Sequence, residues 1–169
     1  MRKENFIQKT DAFIETGSYL GDGIQLAINS GFSEIYSIEL GDHLYQHCQR
    51  RFQGNPNVNL ILGDSSIKLK ELLDKHPKTA FTYWLDGHYS SGITVKGEKY
   101  TPLAEELEAI LSRDIEGELI YIDDMRDYRE HVDISLDIIL DMVKKYKPNA
   151  IVRFESTEWD PEDCMVIEY

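Results

Sequence analysis

The sequence predicts an α/β fold built on a mainly parallel sheet. Short apolar runs of strand length alternate with stretches of helical period along most of the chain. Most of those runs are apolar on both faces and rich in β-branched and aromatic residues, as strands covered by helices on both sides are. At the end of the chain two strand-like runs are joined by "ESTEWDPED", too short for a crossover helix, so that pair is expected to be an antiparallel hairpin.

The first strand is "AFIET" at 12–16, and a helix capped by Asp22 runs to about Ser30, before Gly31. "EIYSIE" at 34–39 is the second strand, followed by a helix capped by Asp42 that reaches about Phe52. "VNLIL" at 58–62 is the third, and Ser65 or Ser66 opens the next helix. The fourth strand, "AFTYWLD" at 80–86, carries Trp84 into the core and leads into a long segment, 87–101. Lid, substrate site and plain insertion are the candidate roles of that segment. The fourth helix places Leu103, Leu107, Ile110 and Leu111 on a buried stripe, "ELIYIDD" at 118–124 is the fifth strand, and the fifth helix does the same with Leu136, Ile139, Leu140 and Val143. "AIVRF" at 150–154 and "CMVIEY" at 164–169 form the final pair.

A length of 169 residues fits one domain, 1–169, with a substantial core. Eighteen Lys and Arg against 31 Asp and Glu, a net charge of −13, oppose a nucleic-acid partner, whose phosphates need cations. The one basic cluster, "KKYK" at 144–147, falls at a helix end, where cations suit the dipole. No apolar run approaches the roughly 20 residues of a membrane span. The basic start "MRKENFIQK" lacks the apolar centre of a secretory signal, so a cytoplasmic location is expected. Cys48 and Cys164 read as reduced thiols.

Gly17, Gly21 and Gly23 fall between the first strand and the first helix, at the carboxyl edge where open α/β sheets bind ligands. Such a turn lets a ligand approach bare backbone and the unpaired N–H groups of a helix start. Glu39, ending the second strand, is placed to accept two ribose hydroxyls, and Asp64, in "LGDSS" after the third, to meet an adenine edge. Read singly, the glycines make a tight turn and the two acids are helix caps; read together, they outline a nucleoside slot.

"ETGSYLGDG" resembles the E/D-x-G-x-x-x-G-x-G turn of class I S-adenosylmethionine-dependent methyltransferases, with Glu15, Gly17, Gly21 and Gly23 on the marked positions. The resemblance covers nearly the whole chain. It implies a Rossmann-like three-layer sandwich whose seven-stranded, mostly parallel sheet ends in an antiparallel hairpin. It also implies that Glu39 takes the ribose and Asp64 the adenine side of S-adenosylmethionine. Nicotinamide-binding domains match less well, because their third glycine would stand where this chain has Leu26. An acidic turn suits a cationic sulfonium better than a pyrophosphate. Tyr19, inside the turn, is a candidate for cation–π contact with that sulfonium or a plain surface tyrosine.

Asp86 ends the fourth strand and Asp123 and Asp124 the fifth, so all three are expected on the same edge. Hard oxygen ligands at that density favour a cation such as Mg2+, which lowers the pKa of a bound hydroxyl. "YWLDGHYSSG" and "YIDDMRDY" look like segments of metal-assisted O-methyltransferases, including the sugar-modifying, macrocin type. That likeness makes Asp86, Asp123 and Asp124 metal ligands, and Asp86 also part of the cofactor and catalytic site. In related catechol-type enzymes an asparagine often stands where this chain has Asp124. His88 is the candidate general base, with a loop hydrogen bond as the plainer alternative.

Other constellations carry less. His43, His47 and Cys48 have zinc-like spacing without a third distant ligand, and a solvated helix face explains them better. Trp159 is a candidate for a substrate entrance or for the cover of a sheet edge; Arg126 and Tyr128 are candidates for substrate contact or for a solvated loop. The reading is methyl transfer from S-adenosylmethionine to an oxygen of a small molecule, a sugar or phenol, with a homo-oligomer compatible with it. A noncatalytic cofactor-binding protein and a nicotinamide-dependent oxidoreductase are the alternatives.

Overall fold

The structure is a computed structural model and describes residues 6–87, 101–129, 134–157 and 160–169. Seven strands form one sheet in the order β3-β2-β1-β4-β5-β7-β6. They are β1 (Ala12–Thr16), β2 (Glu34–Glu39), β3 (Val58–Leu62), β4 (Phe81–Leu85), β5 (Leu119–Ile122), β6 (Ile151–Glu155) and β7 (Cys164–Glu168). The first five pair in parallel, and β7 runs antiparallel to both β5 and β6, as expected from the short final connection. This is the Rossmann-like arrangement that the sequence predicts.

Six helices are described: α1 (Asp22–Ser30), α2 (Asp42–Arg51), α3 (Ser65–Lys75), α4 (Leu103–Leu111), α5 (Met125–Tyr128) and α6 (Leu136–Tyr146). Successive strand residues alternate between two apolar layers. Phe13, Ile35, Trp84 and Tyr121 pack with Ile24 and Ala27 of α1 and Cys48 of α2. Ile14, Ile38, Tyr83 and Ile122 pack with α3, α4 and α6 through Leu69, Leu107 and Ile139. Phe6, ahead of the first strand, completes the first layer, its ring 4.9 Å from Phe13 and 5.2 Å from both Trp84 and Tyr121.

Several expectations are corrected. Asp22 and Asp42 do not cap their helices; Gly21 and Gly41 hold those positions without a side-chain bond. Each aspartate is instead the first helical residue, where its charge still meets the positive end of the dipole. Asp22 pairs with Arg51 at 2.6 Å, and Asp42 accepts from Gln46 at 2.7 Å. Leu140 is exposed, and the buried side of α6 is carried by Ile139 and Val143. The edge strands β3 and β6 are only partly covered, which their apolar composition does not reveal. The short helix α5 is absent from the sequence reading because four residues are too few to show a period. Lys147 of the basic cluster turns inward, donating to the carbonyls of Arg113 and Ile115 at 2.9 and 3.0 Å. Among the described residues no helix is long and apolar enough to cross a membrane.

Candidate functional site

Parallel strands of matched register end together, and a chain of backbone hydrogen bonds runs along that rim. Gly63 donates to Glu39, Gly17 to Ile38, Asp86 to Thr16 and Asp123 to Leu85, at 2.9, 2.9, 3.1 and 3.1 Å. The rim therefore carries, in spatial order, Asp64, Glu39, the glycine turn, Asp86 and Asp123. The acids singled out in the sequence, from five different strand ends, do meet on one edge.

The glycines answer a packing need of the chain itself. Gly17 has φ +83°, and a side chain there would run into the backbone carbonyl of Asp86. One on Gly21 would stand 2.6 Å from the Phe52 ring, and one on Gly23 would overlap the Glu15 carboxylate. The turn closes tightly onto β4, α2 and β1. Glu15 lies beneath it, 1% exposed, accepting from Ser37 at 2.5 Å. Burial pushes its pKa well above the ordinary range, against the Ser37 hydroxyl, and the charges of Asp86, Glu39 and Asp22 push the same way.

Glu39 braces the turn from the side. One carboxylate oxygen accepts from the Tyr19 amide at 3.0 Å and the other from the Gly41 amide at 2.7 Å. Burial raises its pKa and those amides oppose the rise. The Ser18 amide also acts on this carboxylate, so of its roughly four acceptor positions at least one is left for a hydroxyl donor. Tyr19 is left-handed, φ +46°, with its side chain 44% exposed beside the rim. Asp64 caps α3: its Oδ1 takes the Ser66 amide at 2.9 Å and the Ser66 hydroxyl at 2.7 Å.

Asp86, Asp123 and Asp124 bring ligand atoms within 4.8 Å of one another. Asp123 is 3% exposed, and its Oδ1 has no hydrogen-bond partner among the described residues. Burial first, then the charges of Asp86 and Asp124, holds its pKa well above the usual carboxylate range. Asp124 heads α5 in the left-handed region, φ +56°, a conformation that Asp and Asn tolerate better than most residues. Arg126 bridges it, at 2.7 Å, to the fully buried Asp163, which also accepts from Thr157 at 2.8 Å. Arg126 is thus held by two carboxylates with its side chain 37% exposed, and Tyr128 is buried, with its hydroxyl 3.3 Å from that of Thr101.

His88 and Trp159 lie outside the described residues, as does most of the 87–101 segment. His43 and His47 are exposed on α2 while Cys48 is buried on its other side, its thiol pushed up to about 12 by burial. The three do not form a metal site.

Two acids escape the sequence reading. Asp163 gives no local signal, since its partner is 37 residues away. Glu106 does give one: it stands three residues after Leu103 and four before Ile110, on the stripe that α4 buries, and it is 1% exposed.

Solved proteins of low sequence similarity share this fold. The O-methyltransferase from Bacillus cereus, in complex with SAH, matches with a TM-score of 0.65 at 13% identity over 96% of this chain and 76% of its own. The N-methyltransferase NodS from Bradyrhizobium japonicum WM9 gives 0.57 at 12% identity over 94% and 84%. Spermidine synthase from Thermotoga maritima gives 0.63 at 9% identity over 96% and 54%. No protein-family model matches the chain, and no curated protein matches its sequence. The likeness establishes the fold, and proteins named for different reactions share it.

Proposed function

We propose that the chain binds S-adenosylmethionine and transfers its methyl group to an oxygen of a small acceptor, a sugar or a phenol. The observation that carries this is Glu39: a carboxylate fixed at the sheet rim by two backbone amides, beside a closed glycine turn and in line with Asp64 and the Asp86 cluster. An acid so fixed is preorganised for ribose hydroxyls, and the gathering of acidic side chains along the rim favours a sulfonium. Glu15 supports the turn from below, while Gly17, Tyr19, Gly21 and Gly23 shape the cofactor's side of it. The net charge of −13 favours a small acceptor over a nucleic acid. A cytoplasmic site of action accompanies this reading.

Asp86, Asp123 and Asp124 suit a hard divalent cation such as Mg2+, because three carboxylates converge and the buried Oδ1 of Asp123 lacks a partner. When bound, such an ion would lower the pKa of an acceptor hydroxyl. Asp86 would then orient the acceptor toward the cofactor, and His88 is the group to take its proton.

Calorimetric titration with S-adenosylhomocysteine tests the cofactor. Binding is expected, weakened about tenfold or more in Glu39→Ala through the loss of charge-assisted hydrogen bonds. Unchanged affinity in that variant would count against the site. Methyl transfer followed with Mg2+ and with a chelator tests the metal, and equal rates would remove it from the mechanism.

A further inference from the structure

Two aspartates divide the work at the start of α5. Asp124 stands just before the first helical residue, where an aspartate ordinarily accepts from the amides of the first turn, yet its side chain makes no such bond. Asp163, from the end of the β6–β7 connection, does that work in its place. Its carbonyl accepts from the Met125 amide at 2.8 Å, and its Oδ1 accepts from the Arg126 amide at 3.2 Å. Its Oδ2 accepts from the Arg126 guanidinium and, at 2.8 Å, from the Thr157 hydroxyl. Asp163 is fully buried, and the next residue opens β7, which pairs with β5 on one side and β6 on the other. The second arm of the guanidinium meets Asp124 at 2.7 Å. The fork therefore ties one member of the carboxylate cluster to a buried acid outside it.

A side chain that caps its own helix is turned toward that helix. With the cap supplied from elsewhere and a left-handed backbone, φ +56°, Asp124 brings its carboxylate to the cluster with Asp86 and Asp123 instead. Carboxylates gathered this closely repel one another when charged, so a donor fixed at the flank keeps the arrangement from opening. We propose that Arg126 and Asp163 are positioning residues of the candidate metal site: Asp163 caps α5 and aims Arg126, and Arg126 holds Asp124 in the cluster. The inference rests on the metal reading above. A planar guanidinium presents donors to two acids at once, which a lysine cannot do in a fixed geometry. A carboxylate has about four acceptor positions, so the bond to Arg126 does not use Asp124 up.

The guanidinium is also a positive charge beside the place of a cation, and by charge alone its removal would tighten metal binding. Positioning acts the other way, because a ligand that has lost its outer partner has to be ordered by the ion itself. The sign of the change separates the two.

The test is calorimetric titration of the full chain with Mg2+, beside titration of the same proteins, metal-free, with S-adenosylhomocysteine. Wild type is expected to bind Mg2+, and Arg126→Gln to bind it about tenfold more weakly. Asp163→Asn keeps an oxygen for the Arg126 amide but replaces the acceptor of the guanidinium, and is expected to weaken Mg2+ binding in the same direction. Added to Arg126→Gln, it should change the Mg2+ affinity by less than about twofold, since it acts through the guanidinium. Affinity for S-adenosylhomocysteine should stay within about twofold throughout, a control for the rest of the rim. Equal or tighter Mg2+ binding by Arg126→Gln overturns the proposal and leaves the metal reading standing. Fully additive losses in the double variant overturn it as well, because each residue would then act alone. No Mg2+ binding by wild type overturns both. Should Arg126→Gln not fold, Arg126→Lys decides: it keeps the charge without the fork, and binding as tight as that of wild type overturns the proposal.

Discussion

The two ends of the sheet bury carboxylates in opposite ways. At the amino end Glu118, fully buried, meets Arg113 at 2.5 Å, the hydroxyls of Tyr83 and Tyr169 at 2.7 and 2.9 Å and the Phe81 amide at 3.2 Å. Arg113 completes the network by donating to the carbonyls of His76 and Thr79 at 2.9 and 2.8 Å. At the carboxyl end Glu15, Glu39, Glu106 and Asp123 are all buried, and none forms an ion pair among the described residues. Burial raises the pKa of Glu118 as well, but there a cation and three donors oppose it. A fold that gives its buried acid at one end a cation, and at the other gives one to Asp163 but none to Glu15, Glu39, Glu106 or Asp123, has closed the first end and left part of the second to be completed by a ligand.

The largest effect should come from breaking the matched end. Arg113→Ala leaves Glu118 with its charge buried and two carbonyls without their donor. A loss of about 3–5 kcal/mol in urea unfolding at pH 7 is expected, a large part of an ordinary domain's stability. The affinity of the folded protein for S-adenosylhomocysteine should stay within about twofold. A comparable loss of affinity would mean that the two ends are coupled and that the contrast drawn here is false.

Gly17→Ala attacks the open end and should do less to stability and more to binding. The methyl would press on the Asp86 carbonyl from a left-handed residue, and neither backbone can retreat without opening β1 from β4. Strain and overpacking together suggest a loss of about 2–4 kcal/mol, read by thermal or urea unfolding. Binding of S-adenosylhomocysteine by the fraction that remains folded should be lost.

This contrast was half legible in the sequence. Strand ends can be read from period and composition, and parallel strands must end on one rim, so Glu39, Asp64, Asp86, Asp123 and Asp124 were visible as a group. What fills the space beside a glycine was not legible. It is Asp86 for Gly17 and Phe52 for Gly21, residues 69 and 31 positions on, and only the packing of whole elements brings them there. The caps failed for a similar reason. Asp22 and Asp42 look like caps, but the glycine before each already turns the chain, which leaves the aspartate free to pair along or across helices. Asp163 and Arg113 make their contacts through tertiary partners that no local pattern announces.

The smallest effect has the opposite sign. Asp123 has a raised pKa in the folded state, so its favourable contribution is complete below the ordinary carboxylate pKa and is lost as pH rises through the folded value. In protein kept free of metal by a chelator, Asp123→Asn should therefore be more stable than wild type at pH 7, by about 1 kcal/mol. The difference should close as pH falls through about 4 toward 3, below which wild type carries its proton in both states. An amide there can also donate to a neighbouring carboxylate, which a carboxylate cannot. A substitution that stabilises the empty protein while abolishing any response of its melting temperature to Mg2+ would separate what the fold needs at this end from what its ligand needs. If Asp123→Asn destabilises at pH 7 as Arg113→Ala does, the carboxyl-end acids are structural after all, and the asymmetry between the two rims has no bearing on function.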